Sequence, residues 1–167
     1  MKNLSILFLF ILISINTYSQ TSEEYFTEGN SKCEIQNYQG AIADYNKSIE
    51  IDPKNAYSYS NRANAKSKLQ DHKGAIADYN IAIELDPKYA NAYYNRGVSK
   101  GDLQDYRGAI ADFNIVIVIS PKDAAAYYNR GLAKLSLNQK DSGCLDFSKA
   151  GELGCGEAYD QIKKHCN

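Results

Sequence analysis

Gly40 to Asn46 reads Gly-Ala-Ile-Ala-Asp-Tyr-Asn, and the run returns at Gly74 to Asn80 and, with Phe113 for Tyr, at Gly108 to Asn114, 34 residues on each time. Pro53, Pro87 and Pro121 keep the same step, as do Asn61-Arg62, Asn95-Arg96 and Asn129-Arg130. A degenerate fourth copy stands at Ser142-Gly143-Cys144-Leu145-Asp146-Phe147. A fixed period of this length marks a stack of supersecondary units, each too small to bury its apolar side alone. It rules out an ordinary globule with a single non-repeating core.

Within a unit the apolar spacing is helical. Tyr93, Arg96, Gly97 and Lys100 share one face between Ala90 and Leu103, and Ala109, Phe113, Val116 and Ile117 share one between Gly108 and Ile119. Short polar breaks, Gln70-Asp71-His72 and Gln104-Asp105-Tyr106, separate the two helices. The proline near the end of each unit cannot continue the preceding helix and holds its neighbour extended. Each unit is therefore a helix hairpin.

These residues resemble the tetratricopeptide repeat family. The early aromatic of its pattern is Tyr25, Tyr59, Tyr93 and Tyr127; the small residue four later is Gly29, Ala63, Gly97 and Gly131. Ala41, Ala75 and Ala109 follow in the second helix, then Tyr45, Tyr79, Phe113 and Phe147, then Ser48, Ala82, Val116 and Ala150. The resemblance implies an all-α, right-handed superhelical stack. Its repeats run over about 22–55, 56–89, 90–123 and 124–157, with a capping helix at 158–166. The fourth departs most, with Gly143 for Ala and Cys155 for Pro, as terminal repeats do when they cap a stack.

Residues 1–19 read as an address. A basic start, Met1-Lys2-Asn3, leads into an apolar run from Leu4 to Ile15, and a polar segment ends on Ser19. That is the layout of a secretory signal peptide cleaved before Gln20; the competing reading, an uncleaved membrane anchor, is disfavoured because the run falls short of the ~20 residues of a span. The expected product, residues 20–167, carries a formal charge of −2, is periplasmic or secreted, and has no membrane span. With 19 basic against 20 acidic residues in the whole chain, no cationic excess exists to hold nucleic acid.

Asp44, Asp78, Asp112 and Asp146 occupy one repeat position and Arg62, Arg96 and Arg130 another. Two readings compete: an anion-binding arginine row, or a structural ladder. Charge matching favours a ladder joining each Asp to the basic residue 18 later in the next unit, Asp146 meeting Lys164; the alternative offset sets Glu28 against Asp44.

Four cysteines in an exported chain permit disulfides. Cys144 and Cys155, or Cys155 and Cys166, lie 11 residues apart. On a helix that is ~16 Å, beyond the ~7 Å a bridge spans. An antiparallel turn near Cys155 brings Cys144 level with Cys166, the expected pair; Cys33 and Cys155 stay open. Zinc is disfavoured, because no Cys-x2–4-Cys pair accompanies His165.

The resemblance places a concave face on the first helix of each unit. The implied contact residues are Phe26 and Asn30; Tyr57, Asn61 and Asn64; Asn91, Tyr94 and Asn95; Tyr128 and Asn129. Asn offers a donor and an acceptor together, matching a peptide backbone, and Tyr gives large contact area at low entropic cost. Relatives that clamp a partner's C-terminal carboxylates use Lys, Asn, Asn, Lys and Arg at the positions of Phe26, Asn30, Asn61, Asn91 and Asn95. All three cations are absent here. No Gly-rich phosphate loop, His-Glu-x-x-His or nucleophile arrangement is present; His72 takes the place of Tyr38 and Tyr106 at a hairpin turn. The expectation is a non-enzymatic module, without cofactor, that docks an extended peptide or protein segment. A structural adaptor of a cell-envelope complex using its convex or end surfaces, or a small-ligand or glycan binder, are the alternatives.

Overall fold

The computed structural model describes residues 20–166, so the leader expected over 1–19 lies outside the described residues. Those residues form nine α-helices and no strand. Four hairpins succeed one another: α1 Ser22–Glu34 with α2 Tyr38–Ile51, α3 Ala56–Lys68 with α4 His72–Leu85, α5 Ala90–Asp102 with α6 Tyr106–Ile119, and α7 Ala124–Ser136 with α8 Lys140–Glu152. A short helix, α9 Glu157–His165, closes the chain, starting and ending one residue earlier than the sequence suggests. The fold class is the expected one, an all-α superhelical stack.

Local chemistry sets the helix ends. Each first helix ends on Gln36, Gln70, Gln104 or Asn138 at φ between 58° and 66°. The next amide then reaches back five residues: Asn37 to Lys32, Asp71 to Lys66, Asp105 to Lys100, Gln139 to Lys134. This is a Schellman closure with a left-handed residue at its hinge. The residue that closes it starts the following helix, and Asn37, Asp71 and Asp105 each accept the amide of the glycine three residues on. One short segment thus caps two helices and fixes the hairpin. The last turn differs. Gly154, at φ 97°, lets the Cys155 amide return to Ala150, replacing the Pro turn of earlier repeats.

The core is one large ring per hairpin. Tyr45, Tyr79, Phe113 and Phe147 are each at most 2% exposed and face a small residue on the partner helix. A Cβ added at Gly29, Gly97 or Gly131 would approach a ring carbon of Tyr45, Phe113 or Phe147 to 2.6, 2.9 and 2.8 Å. Three hairpins add a second ring on the first helix: Phe26 on Tyr45, Tyr94 on Phe113, Tyr128 on Phe147, with centroids 5.7–6.1 Å apart. The second hairpin has Ser60 there, and Tyr89 from the following turn packs against the Tyr79 cluster instead. That move explains why α5 alone among the first helices lacks a side-chain cap, since Tyr89 occupies its N-cap.

The aspartate ladder is corrected by the structure. Each Asp pairs within its own hairpin, with the cations 16 and 12 residues earlier. Asp78 accepts Arg62 and Lys66, Asp112 accepts Arg96 and Lys100, and Asp146 accepts Arg130 and Lys134, all at 2.6–2.8 Å. Lys32 serves Asp44, so Glu28 at the first cation position does no harm. The lysine one helical turn beyond the arginine position is opposite in sign to the Asp in every repeat, which is why the offset survives Glu28 in the first. A tie between repeats does exist, but it runs through asparagine: Arg62 donates to Asn46, Arg96 to Asn80 and Arg130 to Asn114 at 2.6–2.7 Å. The arginines also lie over the Tyr59, Tyr93 and Tyr127 rings. Committed on all sides, they are not an anion row.

Cys144 and Cys166 are bridged, with Cα atoms 5.8 Å apart, clamping α9 on α8. Cys33 and Cys155 are free thiols. The bridge closes a 22-residue separation, a constraint worth ~3 kcal/mol. Replacing both cysteines by serine is expected to lower stability by about that amount, with amide exchange rising first across 157–165. Denaturant unfolding with and without reductant checks it, and coincident curves would contradict it.

Candidate functional site

First helices of neighbouring hairpins touch directly, α1 with α3, α3 with α5 and α5 with α7. The second helices stand further from one another. The first helices therefore line one side of the stack, and their free faces are the candidate site.

Along that face the asparagines are tied into a repeating node. Asn30 Oδ1 accepts the Tyr45 hydroxyl at 2.8 Å and the Asn61 amide at 2.8 Å. One unit on, Asn64 Oδ1 accepts Tyr79 at 2.6 Å and Asn95 at 3.0 Å. The third node is rewritten: Val98 replaces the acceptor and Phe113 the hydroxyl, so neither leaves an orphan. Asn129 donates instead to the Tyr94 hydroxyl at 2.8 Å and to the Ala125 carbonyl. Of the ten residues predicted from sequence, Asn30, Asn61, Asn64, Tyr94, Asn95 and Asn129 are thus brought together as bridges between repeats. Phe26 and Tyr128 are half-buried against core rings, and Gln161 of α9 reaches the Tyr128 hydroxyl at 3.5 Å. Tyr57 and Asn91 alone of the ten are exposed; Tyr57 meets the Tyr89 ring edge-on at 5.1 Å. The face is polar but partly spent. Asn61 and Asn95 keep a carbonyl, and Asn30 and Asn64 an amide, with no partner among the described residues.

Burial pushes the phenols of Tyr45 and Tyr79 well above their ordinary value, and those of Tyr89 and Tyr94 upward. The neutral phenol is present in both states below pH 10, so this stability is whole there. Above pH 10 the unfolded chain loses protons that the fold retains, and stability falls by up to ~1.4 kcal/mol per pH unit for each such group. Tyr79→Phe is expected to cost ~1 kcal/mol at neutral pH and to unfold less steeply than wild type above pH 10. Chemical denaturation across pH 8–11 measures this; parallel slopes would contradict it.

Two hollows open on the first-helix side and were not visible in the sequence. One, between α3 and α5, is lined by Asn64, Ser67, Lys68, Tyr79, Asn95 and Val98, with a volume of about 390 Å3. The other, about 180 Å3, lies between α5 and α7 around Val98, Gly101, Phe113 and Leu132. The signal for the second was Gly101, where the other repeats carry Cys33, Ser67 and Leu135. Among the described residues no group of three His, Cys, Asp or Glu could hold a metal ion, and no helix is long and apolar enough to cross a membrane.

Models of the TPR repeat match residues 29–70 and 64–103, and a tetratricopeptide repeat model matches 94–142. The chain belongs to the tetratricopeptide repeat family. No curated protein sequence matches it. Among solved structures, a crystal structure of MamA superposes with a TM-score of 0.78 at 27% identity, over 83% of this chain and 81% of that one. The first tetratricopeptide repeat domain of Spaghetti (RPAP3), bound to the HSP90 peptide SRMEEVD, gives 0.70 at 29% identity, over 75% of this chain and 99% of that one. The corresponding domain of Arabidopsis OM64 gives 0.67 at 29%, over 68% and 94%.

Proposed function

We propose that this tetratricopeptide repeat protein is an exported interaction module that holds an extended peptide or protein segment along its inner face. The observation that carries the reading is the run of asparagine amides with unspent hydrogen-bonding capacity beside two hollows in register. Amides of that kind match the donors and acceptors of an extended backbone, and repeat stacks bind on their concave side. The relative solved with SRMEEVD supports peptide binding as a mode open to this architecture. Its acidic tail is a poor fit here, because the cation positions hold Phe26, Asn91 and Asn95. Export is supported by the leader-like residues 1–19 and by a disulfide, which persists in oxidising compartments.

The test is capture of partners by the purified protein and by Tyr57→Ala/Asn91→Asp, which alters exposed groove positions without touching the asparagine nodes. Loss of captured partners at unchanged melting temperature supports the groove. Identical capture contradicts it. The exported product is expected to start at Gln20 by mass spectrometry.

A second reading has its own observation. On the outer surface Ile115 and Val118 stand where Lys149 and Glu152 pair in the last hairpin, and Val118 and Leu145 are 80% and 72% exposed. Capture lost in Val118→Glu but kept in the groove variant would favour an adaptor that docks by its outer face.

A further inference from the structure

The two hollows are the same site one repeat apart. Asn64, Ser67, Lys68, Tyr79, Asn95 and Val98 of the first correspond, 34 residues on, to Val98, Gly101, Asp102, Phe113, Asn129 and Leu132 of the second. Three of the substitutions strip polarity from the second hollow: Asn to Val, Ser to Gly and Tyr to Phe. Val98 borders both, so the hollows adjoin.

The second hollow exists because Gly101 has no side chain. A Cβ built there meets nothing within 4 Å. In the next hairpin the same position is Leu135, which packs over Gly143 and into the Phe147 cluster. At about 180 Å3 the space exceeds the ~150 Å3 apolar cavity known to take up benzene. Gly97, Val98, Phe113, Leu132 and Ala133 make most of its wall apolar, while Asn129, Tyr106, Ser136 and Asp102 also line it, so the guest is chiefly apolar.

Charge sets the rest of the guest. Lys68 on the rim of the first hollow is exposed and enters none of the ion pairs among the described residues. Its counterpart on the second rim is a carboxylate, Asp102, with His72 Nδ1 at 3.5 Å. A carboxylate on the guest is therefore drawn to the first hollow and repelled from the second. Packed helices lie ~8–10 Å apart, and extended chain advances ~3.3 Å per residue.

Resting on the groove reading above, we infer that the partner segment carries a ring-sized apolar side chain, seated beside Gly101, and an acidic residue two to three positions away, facing Lys68. The apolar anchor fixes the segment on the third repeat, and the acid fixes its direction.

The probe is a random-peptide display library selected on the purified protein, followed by titration of the consensus peptide against wild type, Gly101→Leu and Lys68→Glu. Enriched peptides are expected to share an apolar residue and an acid at that spacing. Gly101→Leu places the side chain of repeat 4 into empty space, so its melting temperature is expected to be unchanged or raised while binding weakens about tenfold to a hundredfold. Lys68→Glu is expected to lose the preference for the acid and keep the apolar anchor. Peptides that bind wild type and Gly101→Leu equally, yet are lost with Tyr57→Ala/Asn91→Asp, would overturn this inference and leave the groove reading standing. Enrichment of a basic residue in place of the acid would overturn the assignment to Lys68. A library yielding no peptide that binds would overturn both.

Discussion

Asp112→Ala is expected to lower the folding free energy by about 3–5 kcal/mol, because it leaves two cations facing a site built for a carboxylate. Asp112 has a side chain 2% exposed and accepts a two-pronged contact from Arg96, Nε to Oδ2 and Nη2 to Oδ1, with Lys100 also on Oδ2. Arg96 in turn reaches Asn80 of the preceding repeat, so losing Asp112 also loosens the joint between repeats. Urea unfolding measures the loss. A double-mutant cycle then identifies the partner. Arg96 with Asp112 is expected to couple by on the order of 1–3 kcal/mol, and Arg96 with Asp78 by less than about 0.5. Strong coupling to Asp78 would restore the pairing between successive units that the charge pattern suggests.

Phe147→Ala belongs in the same range, about 3–5 kcal/mol. The ring is fully buried, and its cluster includes Ala150 and Ala158 with Tyr128, Leu132, Leu135 and Ile162 around it. Removing it withdraws support from α7 and α9 together, so the disulfide is left holding a helix with little to pack on. Gly131 offers an internal control. A Cβ there comes within 2.8 Å of the Phe147 ring and 3.1 Å of the Gly143 carbonyl oxygen, so Gly131→Ala is expected to destabilise wild type and to cost less, by the ring's share, once Phe147 is alanine. Calorimetry of the two single variants and the double variant checks this; additive losses would show that ring and glycine do not share the contact.

The period, the hairpins and the terminal clamp were legible because each depends on local chemistry. Gln36 and Asn37 cap by neighbouring backbone, and the Cys144–Cys166 bridge follows from one antiparallel turn. Exchanges between distant positions were not legible. Ser60 reads as a small residue on a first helix, and only the packed structure shows that Tyr89, on the next turn, supplies the missing ring. The partners of the aspartates were not legible for a related reason: the offset depends on how two helices cross, and Lys32, Lys66, Lys100 and Lys134 keep the period without marking which carboxylate they meet. At the candidate site the sequence pointed to a stripe of asparagines free to meet a partner. The packing assigns much of their capacity to neighbouring repeats, and opens instead a hollow at Gly101, a residue whose meaning is what it lacks.

The most direct measurement is an amide chemical-shift map of the 15N-labelled protein titrated with the tightest peptide from the display selection. Largest shifts confined to the inner faces of α3, α5 and α7, centred on residues 64–68 and 98–102, are the predicted result. Shifts concentrated on α4, α6 and α8, or at α9, would contradict an inner-face docking site.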